Sequence, residues 1–354
     1  MSAGEAGRKI RVLVVEDSPV MRELLVHLLR ADPEIEVTGF ANDGEEALEA
    51  VKEKKPDVVT MDFHMPKVNG LDATRRIMET HPTPIVIVSG SSAREEVTSA
   101  FRLLEAGALE VVEKPRGPGH PDHEAAAREL VQTVKTMAEV KVVRRWAKRE
   151  AAPAAAAPRS VRIEAAAPKA SLVAIGASTG GPIVLKTILA GLPRNFAVPV
   201  LIVQHIASGF TTGFVEWLGS ASGFAVHVAT DGEHPLPGHA YVAPDGCHMT
   251  LRHDGAIALN RDAPENGHRP SVSRLFRSVA AVLGRNAIGV LLTGMGKDGA
   301  EELKLLRDKG AVTIAQDRDT SVVHGMPGEA IHLEAASYVL SPDEIAAALA
   351  GLPK

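Results

Sequence analysis

From Lys9 to Val15 the chain is mostly β-branched and aliphatic; the run stops at Glu16 and Asp17, and apolar positions then recur at helical spacing. Met21, Leu24, Leu25, Leu28 and Leu29 share one stripe of a helix that Ser18 caps and Pro19 opens, the face a helix needs to cover a sheet. The alternation returns four times, predicting strands at Val37–Ala41, Val58–Met61, Ile85–Val88 and Glu110–Val112 with helices between them. Short, continuously apolar strands separated by amphipathic helices imply a five-stranded parallel sheet covered on both faces, a flavodoxin-like α/β unit.

The pattern then changes. Val131, Val134, Met137 and Val140 continue the last helical face toward Val143, after which Lys141, Arg144, Arg145, Lys148 and Arg149 gather around Trp146. Ala151 to Pro168 is rich in alanine and proline and has too few apolar side chains of any size to form a core, so it reads as a semi-extended spacer. The basic cluster before it reads as a solvated helix end, its cations favoured by the helix dipole.

Beyond the spacer a second unit begins. Strands are predicted at Leu172–Ile175, Val198–Val203, Ala287–Leu292 and Ala311–Ala315, with shorter ones at Ala225–Val228, His239–Val242 and Met249–Arg252. Helices are predicted at Pro182–Leu192, Thr211–Ser220, Val272–Leu283, Ala300–Asp308 and within Pro342–Leu352. This is a doubly wound, mostly parallel α/β domain with a hairpin insertion, and the division along the chain is 9–130, 131–168 and 169–354.

Composition narrows the class. A chain of 354 residues suits about two domains. Residues are 45% hydrophobic but only 3% aromatic, so the cores must be aliphatic and alanine-rich. A formal charge of -5 argues against a nucleic-acid-binding surface over the whole molecule. Cys247, the single cysteine, excludes an internal disulfide and a thiolate metal cluster, which fits a reducing compartment. There is no signal-like N-terminus and no apolar stretch near the roughly 18 to 20 residues of a membrane span. A cytoplasmic protein, not inserted in a membrane, is expected.

In the first unit the polar chemistry sits at strand ends: Glu16 and Asp17 after the first, Asp62 after the third, Ser89 after the fourth and Lys114 after the fifth. Clustered carboxylates repel one another, and a hard divalent cation such as Mg²⁺ relieves that repulsion through oxygen ligands. With the charge shielded and Lys114 pairing with incoming oxygens, Asp62 can attack a phosphoryl donor and Ser89 can hydrogen-bond the resulting phosphate. His64 and Met65 read as loop residues beside Asp62. The segments VLVVEDSPVMR, VVTMDFHMP, VIVSGSS and VVEKP resemble the two-component receiver family. That resemblance implies that Asp62 is the phosphoacceptor for a histidine kinase and that Glu16, Asp17 and Asp62 hold Mg²⁺. It also implies that Ser89 and Lys114 are switch residues and that Pro115 follows a cis peptide bond. Many receivers carry an aromatic switch residue about where Val111 stands here.

In the second unit GASTGG, Gly176 to Gly181, turns from strand to helix and presents Ser178 among unpaired backbone amides, a G-x-S-x-G pattern suited to a nucleophile. Two further strands lead to His205 and Asp298, which would bring a hydroxyl, an imidazole and a carboxylate to the carboxyl edge of one sheet. The chain order Ser, His, Asp is not that of the α/β-hydrolases. Thr179, Gly180 and Met295 are candidate amide donors to an oxyanion. A dinucleotide cradle at GASTGG competes, but the second glycine of G-x-G-x-x-G is missing, as is an acidic residue about 20 positions on. Cys247 and His248 are adjacent on a strand and point to opposite faces, a poor catalytic pair.

IGASTGGP, VQH with GFTTGF, HRPSV with LF, LLTGMGKDGA and AQD with TSVVHGMP resemble the catalytic domain of the chemotaxis response-regulator protein-glutamate methylesterases, the CheB type. The resemblance implies hydrolysis of γ-glutamyl methyl esters on chemoreceptor cytoplasmic helices, deamidation of receptor glutamines, a Ser178–His205–Asp298 triad and no cofactor in this domain. Here the chain departs at HIASGF, where a proline is common, and at Gly328, where a bulkier residue is usual. A phosphoacceptor unit joined to a hydrolase leads to the expectation that the unphosphorylated receiver covers the Ser178 edge and that phosphorylation opens it. The alternative is a receiver-controlled scaffold that binds receptors without catalysis.

Overall fold

The computed structural model describes residues 8–90, 94–142 and 170–352, in two compact units divided at 150/151. Arg144, Arg145, Trp146, Lys148, Arg149 and the Ala/Pro-rich spacer lie outside the described residues.

The first unit runs β1 (Ile10–Val15), α1 (Pro19–Arg30), β2 (Ile35–Ala41), α2 (Gly44–Lys54), β3 (Val58–Met61), α3 (Gly70–Thr80), β4 (Ile85–Ser89), α4 (Arg94–Ala106), β5 (Glu110–Glu113) and α5 (His123–Ala138). All strand pairs are parallel, in the order β2-β1-β3-β4-β5. Strands β3 and β4 are buried along their whole length, as a sheet covered on both faces demands. Ser18 Oγ accepts the Met21 amide and Pro19 takes the first turn of α1, while Leu25 and Leu29 are fully covered. The last helix ends at Ala138, short of the expected Val143, because the chain leaves helical conformation after Glu139 and Val140 close its final turn.

In the second unit come β6 (Leu172–Ala177), α6 (Gly181–Ala190), β7 (Val200–Gln204), α7 (Thr211–Ser222), β8 (Ala225–Val228), β9 (His239–Val242), β10 (His248–Leu251), β11 (Ile257–Asn260), α8 (Val272–Val282) and β12 (Ala287–Leu291). It closes with α9 (Ala300–Asp308), β13 (Val312–Gln316), α10 (Met326–His332), β14 (Tyr338–Leu340) and α11 (Pro342–Ala350). Seven strands form one sheet in the order β14-β13-β12-β6-β7-β9-β8, and every pairing within it is parallel. The short strands β8 and β9 therefore belong to the main sheet. The hairpin is instead β10 with β11, antiparallel and separate, and it is tied to α8 by Leu251 N–H donating to Ser278 Oγ at 2.9 Å.

The central strands β12, β6 and β7 are wholly buried, with Leu291 opposite Gly176 and Ala177 opposite Gln204. That register ends three neighbouring strands at one level, directly before Ser178, His205 and the loop leading to Asp298. Helix α8 lies close against this edge. A Cβ on Gly176 would sit 2.3 Å from Val272 Cγ1, so only glycine lets the N-terminus of α8 approach the strand end. Gly176→Ala should lower unfolding free energy by about 1–3 kcal/mol through overpacking, read as a shifted midpoint in chemical denaturation. An unchanged midpoint would mean that α8 moves away without cost.

Candidate active site

In the first unit Glu16 and Asp17 follow β1 and Asp62 follows β3, with one ligand-capable oxygen from each within 4.8 Å of the others. Lys114, just past β5, reaches Glu16 Oε2 and Asp62 Oδ2, each at 2.9 Å. Glu16 Oε1 is buried without a hydrogen-bond partner among the described residues. Burial raises the Glu16 carboxyl above its ordinary value and the Asp62 charge adds to this, against the opposing pull of Lys114. Burial works against the charged form of Lys114, yet the two carboxylates hold its pKa above the usual lysine value. An orphaned buried oxygen in a cluster of three carboxylates fits a hard divalent cation.

Ser89 ends β4, and its carbonyl accepts the Lys114 amide at 2.7 Å. The expected cis bond before Pro115 is not found. Among the described residues the cis peptide is Arg269–Pro270. His64 and Met65 join Asp17 and Phe63 in lining a surface cavity beside the acidic cluster.

In the second unit the geometry is tighter. Gly180, at a φ of 76°, lets β6 turn into α6 directly after Ser178, and the Gly181 amide closes that turn on Ser178 O at 2.8 Å. The Ser178 amide donates to Thr293 O at 3.0 Å, and Thr293 Oγ1 donates to Thr179 O at 2.9 Å, so the loop after β12 holds the turn. Neither the Thr179 nor the Gly180 amide donates to a backbone carbonyl among the described residues. Met295 lies in the same glycine-rich loop and is 42% exposed.

His205 stands at the end of the adjoining strand, its amide donating to Ala177 O at 2.9 Å. Its Nε2 meets Asp298 Oδ2 at 3.0 Å, while Nδ1 has no partner among the described residues. The ring nitrogen facing a carboxylate carries the proton, so Nδ1 is the nitrogen left to act as a base. Ser178 and Nδ1 are not hydrogen-bonded to each other.

Asp298 is held by the N-terminus of α8. Its Oδ1 accepts Ser271 Oγ at 2.9 Å and the Ser273 amide at 3.1 Å, and its Oδ2 accepts the Val272 amide at 2.7 Å besides His205. Burial alone would raise its pKa. The His205 contact and the donors from Ser273 and Val272 outweigh that and hold it far below the ordinary carboxylate range. Ser273 Oγ continues the network to Glu302 Oε2 at 2.6 Å, and Arg277 bridges Glu302 to Glu265 with 2.6 Å contacts to each.

Residues that patterning does not single out complete the site. Gln204 Nε2 donates to both Ser178 O and His205 O at 2.8 Å, pinning two strand ends with one amide. Its position directly before His205 was the available signal. Ser271 and Ser273 could be suspected only as helix-cap residues, and His268 stacks on the His205 ring.

A parallel sheet with a carboxylate–lysine pocket, joined in one chain to an α/β unit whose strand ends gather serine, histidine and aspartate, defines a response regulator with an enzyme-like output domain. The receiver-domain family profile matches residues 12–120 and the CheB methylesterase profile matches residues 173–349. The chain belongs to the CheB methylesterase family. Two relatives carry the name protein-glutamate methylesterase/protein-glutamine glutaminase. The one from Nitrosospira multiformis is 57% identical over 344 residues, 97% of each chain. The one from Geobacter metallireducens is 59% identical over 345 residues, 97% of this chain and 99% of its own. The crystal structure of the Thermotoga maritima CheB methylesterase catalytic domain is similar at a TM-score of 0.50 and 38% identity, covering 52% of this chain and 99% of that one.

A depressed carboxylate pKa stabilises the fold above the unfolded value, near about 4, and that contribution is lost as pH falls through the folded value. The stability gap between wild type and Asp298→Asn should therefore be full at neutral pH and shrink progressively below about pH 4. A gap that widened on acidification would contradict the ionised, helix-capped carboxylate.

Proposed function

We propose that the chain is a phosphorylation-activated protein-glutamate methylesterase and protein-glutamine glutaminase. It acts in the cytoplasm on the cytoplasmic domains of methylated chemoreceptors, with a receiver over 9–130, a linker over 131–168 and a catalytic domain over 169–354. The reading rests above all on His205, fixed through Nε2 by a buried, ionised Asp298, with Nδ1 unpartnered among the described residues and its strand end beside that of Ser178.

Ser178 Oγ attacks the γ-carbonyl carbon of a glutamyl methyl ester while His205 Nδ1 takes its proton. The oxyanion that forms accepts hydrogen bonds from the Thr179 and Gly180 amides, with the Met295 turn flanking it. The imidazolium, steadied by Asp298, returns the proton to the departing methoxide, and methanol leaves. Water, deprotonated by the same nitrogen, cleaves the acyl-enzyme and frees a glutamate carboxylate and Ser178. A glutamine side chain follows the same course with ammonia as the leaving group. No step needs a cofactor in this domain.

Asp62 is the phosphoacceptor for a histidine kinase, and Ser89 and Lys114 bind the new phosphoryl oxygens. Glu16, Asp17 and Asp62 would hold Mg²⁺, which when bound shields the carboxylates from the incoming phosphoryl charge. Lys114 already neutralises part of that charge.

Methanol release from methylated receptor membranes tests the catalytic half. Ser178→Ala should lower it by about 10,000-fold with folding retained, and residual activity near wild type would remove Ser178 from the mechanism. The regulatory half has its own readout. A small phosphodonor with Mg²⁺ should raise the wild-type rate and leave Asp62→Asn at its basal rate; an equal response of the two proteins would place the control elsewhere.

A further inference from the structure

One face of the His205 ring is covered by another imidazole. The His268 ring lies 3.9 Å from it, centroid to centroid, with 4° between the planes. Parallel planes at this separation put the two rings in stacking contact. Two uncharged rings gain little beyond packing from such a stack, whereas a cationic ring over a neutral one is also attracted to its π face. The stack is therefore worth more when His205 has taken a proton than when it has not, which is what a contribution to the transition state requires.

His268 is built to remain the neutral partner. Burial first, and then the proximity of His205, lower its pKa from 6.5 to about 4, against the opposing pull of Asp298. Its backbone is fixed as well. The His268 and Glu265 amides each donate to the other's carbonyl, at 2.9 and 3.0 Å, and the Glu265 carboxylate is gripped by Arg274 at 2.5 Å and Arg277 at 2.6 Å. Both arginines belong to α8, whose first turn holds Asp298. One helix thus sets the carboxylate beside the His205 edge and, through Glu265, the ring over its face.

We propose that His268 is a positioning residue for the ester and amide cleavage. Its neutral ring clamps His205 in the orientation that keeps Nε2 on Asp298 and Nδ1 open, and it attracts the imidazolium formed when Ser178 gives up its proton. The inference deepens the reading of Ser178 and His205 given above and rests on it. Without the clamp the imidazole can turn about its Cβ–Cγ bond, and the loss falls on the chemical step more than on substrate binding.

The test uses the full chain, methylated receptor membranes and four variants with matched thermal stability. His268→Ala should reduce kcat by about 10- to 100-fold while KM changes less than about 3-fold. His268→Phe, which keeps a flat neutral ring, should stay within about 5-fold of wild type, and His268→Lys should fall below the alanine variant because a fixed charge repels the imidazolium. An alanine variant with wild-type kcat, or His268→Leu matching His268→Phe, would overturn the clamp. If the alanine variant does not fold, the phenylalanine and lysine pair decides: equal kcat values overturn the proposal, and a phenylalanine rate at least about 10-fold higher supports it. A wild-type protein that releases no methanol would count against the assigned activity. The clamp is then read from ¹⁵N imidazole signals of His205: a single Nε2-protonated tautomer in wild type and His268→Phe, mixed in His268→Ala, is expected. An unmixed tautomer in His268→Ala overturns it.

Discussion

The catalytic unit depends on a carboxylate placed inside the first turn of a helix. Asp298 is 2% exposed, a position at which an ionised group survives only if donors replace its water. Three of its four donors come from Ser271, Val272 and Ser273, and two of these are backbone amides that the start of α8 must satisfy in any case. The fourth is the imidazole. The interaction that closes the N-terminus of α8 is therefore the same one that orients His205, and fold and chemistry cannot be altered independently there. Its reach extends through Ser273 and Glu302 to Arg277, and from Arg277 to the loop that carries His268.

The receiver unit shows the opposite outcome from related ingredients. Glu16 is also buried, and Lys114 approaches it, yet its pKa moves up where that of Asp298 moves down. The difference lies in the number of donors. Asp298 receives two amides, a hydroxyl and an imidazole, whereas Glu16 shares a single ammonium with Asp62 and keeps one oxygen unpaired. The first arrangement is complete in itself. The second leaves the negative charge of three clustered carboxylates only partly neutralised by one lysine.

Much of this was readable along the chain, for a definite reason. Parallel strands buried on both faces leave near-continuous apolar runs, so β1, β3, β4, β6, β7 and β12 were visible, and the residues directly after them had to lie on one edge. Glu16, Asp62, Ser178 and His205 were placed at strand ends in that way, and Asp298 in the loop after β12. Strands β11 and β14 and helix α10 escaped because each is short and carries no distinct periodicity. The supporting side chains escaped for another reason. That Gln204 would bridge two carbonyls, that Ser273 would turn toward Asp298, or that His268 would lie flat on His205 follows from tertiary contacts, such as Gln204 with Ser178 across 26 positions and Ser273 with Asp298 across 25. The backbone at Pro115 was likewise a matter of local geometry that residue identity alone does not decide.

The central claim is that a hydroxyl, an imidazole and a carboxylate act as one device at the edge of the seven-stranded sheet. Labelling the full chain with a fluorophosphonate and mapping the adduct by mass spectrometry tests it most directly. A single modified residue, Ser178, is expected, labelled quickly in the wild-type protein and far more slowly when His205 is replaced by Gln. An adduct at another residue, or labelling of Ser178 indifferent to His205, would contradict it.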